Sequence, residues 1–166
     1  MPSAPHGPWW KGERGEWYVV LQAILFVLIG IGPRSWPGAP EWPQPLATIA
    51  TWLGLMLMLI GGALAVGGLI ALGQRNLTAL PYPKEGASLV ERGPYAIVRN
   101  PIYSGLIFGA FGWGMWLHAP ITLLFGAALF VLFDLKSRRE EAWLIERFPE
   151  YLEYCARVKK LIPWVY

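Results

Sequence analysis

The segment Gly93-Pro94-Tyr95-Ala96-Ile97-Val98-Arg99-Asn100-Pro101-Ile102-Tyr103-Ser104-Gly105 sets turn-forming, cationic and aromatic residues between two long apolar stretches. Asn100-Pro101 reads as a helix start: Asn caps the first free amides, and Pro takes the first helical position, where its missing N–H costs nothing. The unsatisfied N–H groups and positive partial charge of such an end can bind a carboxylate or a phosphate. Tyr95, Arg99 and Tyr103 surround it with one cation and two rings. The same residues also suit anchoring at a membrane surface. A second set follows in Asp134-Leu135-Lys136-Ser137-Arg138-Arg139-Glu140-Glu141, where helical spacing puts Lys136 and Glu140 on one face, one turn apart. They are either an exposed salt pair worth a few tenths of a kcal/mol or the polar lining of a pocket.

The elements that must position these residues are written in the hydropathy. Of 166 residues, 55% are hydrophobic and 15% charged, against roughly 25% charged in a soluble domain, so the chain reads as one all-α integral membrane domain. Four apolar runs predict four transmembrane helices over residues 17–33, 46–73, 102–117 and 120–136. The second exceeds the roughly 20 residues that span a hydrocarbon core, so it must tilt, kink or project. The third and fourth are short and make a tight hairpin around His118 and Ala119. Lys and Arg cluster before the first run, after the second and after the fourth, while the loop between runs one and two holds only Arg34. Loops rich in these cations stay on the cytoplasmic side. Both termini and the segments 74–101 and 137–166 are therefore placed at the cytoplasmic face of a plasma (inner) membrane, where Lys136 and Glu140 return to the level of Asn100 and Tyr103. A pocket between the two segments would lie beside lipid and accept an amphiphilic ligand. Beyond it, Phe148, Tyr151, Tyr154 and Val158 recur at helical spacing after a restart at Pro149, giving a helix that packs over the pocket or into the core.

Several classes fall away. The net charge of +3 is what cations beside anionic headgroups require and needs no nucleic acid. Cys155 is the single cysteine, so no internal disulfide or thiolate cluster forms. His6 and His118 fall on opposite sides of the membrane, and no metal site is expected. The first run lacks a clear cleavage site and reads as a retained helix. Trp17, Trp36, Trp42, Trp116 and Trp164 sit near span ends, as interfacial tryptophans do. Gly61 with Ala65, and Gly105 with Gly109, form small-xxx-small pairs that bring helix backbones close, continued by Gly112 and Gly114. No strand and GxGxxG turn precedes a helix to make a phosphate cradle.

The pattern GPYxxxRNPxYxG, then EExxL, FPEYxxY and a terminal Val-x-x-x-Ile-Pro, resembles the isoprenylcysteine carboxyl methyltransferase and phospholipid methyltransferase superfamily, over Ala87 to Pro163. The resemblance implies a small helical membrane enzyme that binds S-adenosylmethionine at its cytoplasmic face without a Rossmann domain. It places cofactor contacts on Ala87, Ser88, Leu89, Val90, Tyr95, Arg99, Asn100, Pro101, Ile102, Tyr103, Glu140 and Glu141, with Glu140 holding the cofactor. Lys136 stands where the family has a substrate-handling arginine; Asn100 and Ala87 stand where it often has histidine. Asn keeps hydrogen bonding but cannot carry charge, and Lys keeps the charge but loses the planar fork that grips a carboxylate at two points.

The implied reaction is methyl transfer to a lipophilic or prenylated acceptor entering from the bilayer, a carboxylate above all. Such transfer is chiefly a task of alignment, which few residues can perform. Two other classes use a similar C-terminal region or scaffold: an NADPH-dependent membrane reductase related to sterol reductases, and a non-catalytic member that binds lipid or a partner helix.

Overall fold

The computed structural model describes residues 15–76 and 89–166. The order is α1 (Glu16–Ile31), α2 (Leu46–Asn76), a 3-10 turn (Gly93–Ala96), α3 (Pro101–Trp116), α4 (Pro120–Arg147) and α5 (Tyr151–Arg157). Among the described residues no strand forms; Val98 and Lys159 make an isolated parallel bridge. The fold is all-helical, as the composition requires.

Prolines start α3 and α4 at the position where a missing N–H is tolerated. Their connection is as tight as expected, with His118 turning the chain at φ 50°. α4 does not stop with its apolar run near Leu135. It continues to Arg147, because Lys136 to Arg147 contains no Gly or Pro and is rich in helix formers; the helix ends only where Phe148-Pro149 follows. The polar extension therefore stands on the same rigid rod as the membrane-facing half.

Two stretches are long and apolar enough to cross a membrane, Leu46–Gly73 and Pro120–Arg147. In the first, only 17% of the most apolar window is buried inside the protein, and Trp52, Leu59 and Ile70 stand outward. A soluble core helix would hide those side chains. The over-long second run is interrupted near its C-terminal end, where Gly73 breaks the helical conformation at φ 68° and ψ 167°. α1 and α3 have 16 residues each, a length of about 24 Å at 1.5 Å per residue, short of the roughly 30 Å of a hydrocarbon core.

α2 and α3 run antiparallel at backbone contact. A Cβ on Gly105 would lie 2.3 Å from the Gly61 carbonyl oxygen and 2.7 Å from Ala65, and a Cβ on Gly54 would lie 2.6 Å from the Gly112 carbonyl oxygen. Gly54, Gly61, Gly105 and Gly112 thus form two facing pairs seven residues apart, and Gly61, Ala65 and Gly105 act as the small-residue spacing predicted. Gly109 does not serve in the same way: a Cβ there meets nothing. Where lipid removes the hydrophobic drive between helices, such close approach supplies the van der Waals contact that holds them.

α3 packs on α4 through Ile107, Ala110, Leu129, Leu132 and Phe133, and Leu161 from the C-terminal segment joins this core. α1 lies along the same core through Tyr18, Leu25 and Ile29. At the hairpin end His118 Nε2 sits 2.9 Å from the Ala47 carbonyl and 3.1 Å from Thr51 Oγ1, tying α2's start to the α3–α4 turn. Among the described residues, Tyr95, Arg99, Asn100, Tyr103, Lys136, Glu140 and Glu141 gather at the opposite end.

Candidate functional site

At the polar end, α3 and α4 bring Tyr103, Lys136 and Glu140 together. The Tyr103 hydroxyl donates to Glu140 Oε1 at 2.6 Å, and its ring stacks on Phe133 with centroids 4.4 Å apart. Lys136 is only 2% exposed; its ammonium stands 5.1 Å from the Tyr103 ring centroid and donates to Gln22 Oε1 at 3.1 Å. The exposed salt pair weighed from the sequence is thereby corrected: tertiary packing of α1 over this turn of α4 buries Lys136, and Glu140 points to Tyr103. The two charges still attract one another across the turn.

A second polar group sits beside the first. Arg99 Nε donates to Glu141 Oε1 at 2.9 Å, while its Nη1 donates to the carbonyls of Cys155 at 3.0 Å and Val158 at 2.5 Å. Burial opposes the charge of the guanidinium, but the hydrogen bond and the charge of Glu141 outweigh it, so the Arg99 pKa is raised. Arg99 and Glu141, both proposed from the resemblance as cofactor contacts, are here brought to each other and to the C-terminal segment.

Asn100 also differs from its expected local role. It occupies the N-cap position with no side-chain cap bond; its Nδ2 and main-chain N–H both donate to the Lys160 carbonyl at 3.2 Å. The competing carbonyl comes from a segment 60 residues away, which helix-start statistics cannot anticipate. The Ser104 amide and hydroxyl instead donate back to the Asn100 carbonyl, each at 2.9 Å. Pro101 is fully buried, and Pro101 and Ile102 pack against Gly68 of α2.

Tyr95 lies in the 3-10 turn and is buried. Its carbonyl accepts a bond from the Tyr154 hydroxyl at 2.5 Å, and burial, with the Glu140 charge next, pushes its phenol up to about 12. That electrostatic coupling puts Tyr95 within the field of the Tyr103–Glu140 group. Leu89 and Val90 are half-buried residues leading to this turn. Ala87 and Ser88 lie outside the described residues, as do His6, Lys11, Arg14 and Lys84.

The C-terminal segment closes over these residues. Tyr151 and Tyr154 of the predicted aromatic stripe are buried. Lys160 forms an ion pair with Asp134, whose carboxylate also accepts from Tyr166 Oη at 2.9 Å and Arg138 Nε at 2.9 Å. Asp134, Lys160 and Gln22 were missed by spacing arguments. A signal for Gln22 existed, since it is the lone amide in the apolar stretch Val19 to Ile31, and a polar side chain in such a helix asks for a reason.

Above Tyr103 the surface turns apolar. A groove of about 340 Å³ opens between α1 and α2 across α3, lined by Phe26, Ile29, Met58, Leu106, Trp113 and Leu129. Its lining starts at Leu106, one turn along α3 from Tyr103. Among the described residues no three His, Cys, Asp or Glu side chains gather as a metal site.

Residues 49–151, which hold α2, α3, α4 and most of the polar end, match the phospholipid methyltransferase family. The chain belongs to this family. It is similar to protein-S-isoprenylcysteine O-methyltransferase of Saccharomyces cerevisiae, 33% identical over 168 residues covering 99% of the chain and 70% of the yeast protein. It is similar as well to the cobalt-zinc-cadmium resistance protein CzcN of Cupriavidus metallidurans, 29% identical over 90% of the chain and 62% of that protein. The isoprenylcysteine methyltransferase B of Arabidopsis thaliana is 32% identical over 68% of the chain and 58% of its own length. The chain thus spans a little over three fifths of the length of CzcN and of the nickel-cobalt-cadmium resistance protein NccN, of which it covers 63%.

The donor set at the polar end fits the cofactor expected from the resemblance. A carboxylate on a partly buried turn, Glu140, suits an ammonium group, and the Tyr103 hydroxyl fixes that carboxylate's orientation. Pro101 has no N–H, but the first-turn amides of Ile102 and Tyr103 precede the first internal bond of α3, which Ser104 makes to Asn100.

Proposed function

We propose that the protein transfers a methyl group from S-adenosylmethionine to a carboxylate on a lipophilic, prenyl-like acceptor at the cytoplasmic face of the membrane. The observation that carries this reading is the Glu140–Tyr103–Lys136 group, in which an anion and a cation share one end of the bundle, with an apolar groove that starts at Leu106, one turn along α3 from Tyr103. Family membership and the two isoprenylcysteine methyltransferase relatives support it.

Glu140 holds the cofactor's amino group, Tyr103 keeps that carboxylate turned inward, and the amides at the start of α3 receive polar atoms. Of the remaining contacts read from the resemblance, Tyr95, Leu89 and Val90 flank the same side; Asn100, Pro101 and Ile102 set the helix start, while Arg99 and Glu141 keep it in place. Bound there, S-adenosylmethionine supplies an electrophilic methyl group whose bond to sulfur breaks as a carboxylate oxygen takes it, leaving a thioether and a methyl ester. No proton has to move from the acceptor, so no general base is required. Lys136 orients the anion, and the apolar groove takes the acceptor's tail.

In the same proposal the bundle crosses the membrane four times with both termini cytoplasmic. α1 and α3 manage with 16 residues because a bilayer thins locally around short helices at a cost of fractions of a kcal/mol per Å.

Calorimetry in nanodiscs, with Glu140→Ala alongside wild type, tests the cofactor. Saturable S-adenosylmethionine binding lost in the variant is the expected result. Preference for NADPH would identify a reductase, and binding of neither would leave a lipid-binding protein.

A further inference from the structure

We infer that Gln22 of α1 is a positioning and substrate-contacting residue, forming with Lys136 a two-point grip on the acceptor's anionic head; this rests on the carboxylate reading proposed above.

Lys136 is a donor only, so the atom of Gln22 that faces it at 3.1 Å is the amide oxygen. That bond turns the amide of Gln22, with its two N–H donors, to the side of a cation held beside Tyr103. An ammonium alone is a point charge that lets a carboxylate swivel. An amide N–H next to it offers a second donor from a different helix, so that both carboxylate oxygens find partners, and the acceptor oxygen is presented in one direction. The location agrees with the task. Gln22 is the one amide among the apolar residues Val19 to Ile31, and it lies less than two turns before Phe26 and Ile29, which line the apolar groove. A single short stretch of α1 thereby touches both the head and the tail regions of an amphiphilic ligand.

A second background separates this role from a merely structural one. Gln22→Leu removes the amide donors and leaves the charge of Lys136 in place. If Gln22 only steadied Lys136, Gln22→Leu would add nothing to Lys136→Met. If Gln22 donates to the substrate, Gln22→Leu raises KM in that background too. With N-acetyl-S-farnesylcysteine as the acceptor, KM is expected to rise about tenfold in Gln22→Leu, as for loss of one hydrogen bond to a charged group, both alone and combined with Lys136→Met. Calorimetric affinity for S-adenosylmethionine should stay within about twofold of wild type, the cofactor carboxylate Glu140 being untouched. The methyl ester of the same compound, used as an inhibitor, should bind both variants like wild type. Turnover by wild type with no added effect of Gln22→Leu on the KM of Lys136→Met, or equal losses for acid and ester, would overturn the inference alone. Failure of wild type to bind or methylate the acid would overturn the carboxylate reading and this inference with it.

Discussion

Glu140 and Glu141 are neighbours on one helix, yet they serve two different clusters. Glu140 accepts from Tyr103 beside the buried Lys136, in the group to which the proposed methyl transfer is assigned. Glu141 is closed into an ion pair with Arg99, which also spends its N–H groups on Cys155 and Val158 carbonyls. A 100° step along α4 separates a site from a clasp. The teaching is that adjacent identical residues can be assigned only by what faces them, and that the clasp exists to keep the site's helix start in register.

The sharpest way to break that contrast is to remove each glutamate in turn. Glu140→Ala should abolish detectable methyl transfer and weaken S-adenosylmethionine binding about 10- to 100-fold, the equivalent of one charge-assisted contact. Glu141→Ala should do the reverse: it strands Arg99, whose side chain is 11% exposed, at a cost of about 3 kcal/mol, read as a lower midpoint in detergent with cofactor affinity largely retained. Cofactor loss in both variants would merge the two clusters into one site.

Arg99→Lys probes the clasp more gently. A lysine has no planar fork to serve a carboxylate and two carbonyls at once, so a loss of about 2 kcal/mol is expected, measured by thermal unfolding, with turnover falling only as the fold loosens. On the site's side, Lys136→Met should reduce turnover by more than it reduces cofactor affinity, since the cation orients the acceptor; single-turnover kinetics beside calorimetry checks this. Equal losses would move Lys136 into the cofactor's shell.

The smallest expected effect lies in alkali. The Tyr95 phenol is raised from 10.0 to about 12 by burial, so its neutral form is favoured in the fold. Its contribution is fully present below pH 10 and is lost as pH rises from 10 through 12. Unfolding midpoints should fall in that window, and less steeply in Tyr95→Phe.

Much of this was legible beforehand because it depends on local rules. The helix starts at Pro101 and Pro120, the tight turn at His118 and the small residues Gly61, Ala65 and Gly105 follow from residue type and spacing. The pairing of Tyr103, Lys136 and Glu140 at one level followed from the hairpin. Asn100 was misread as a side-chain cap because its competing acceptor, the Lys160 carbonyl, is far away in sequence. Gln22 was passed over because a helix outside the motifs offers no spacing partner for a lone amide. α4's unbroken length could have been read from the missing Gly and Pro, but the change from apolar to charged residues hid it.

By itself, then, the sequence determined that the chain is helical and lipid-facing, and it placed the chemistry-bearing residues at one end, because hydropathy, turn residues and small-residue spacing act over a few positions. Tertiary structure alone decided which charges face one another. That choice depends on the C-terminal segment folding back onto Arg99 and Asn100 and on α1 laying Gln22 against Lys136, contacts between residues 60 and 114 positions apart whose hydrogen bonds offset the cost of burying the polar groups.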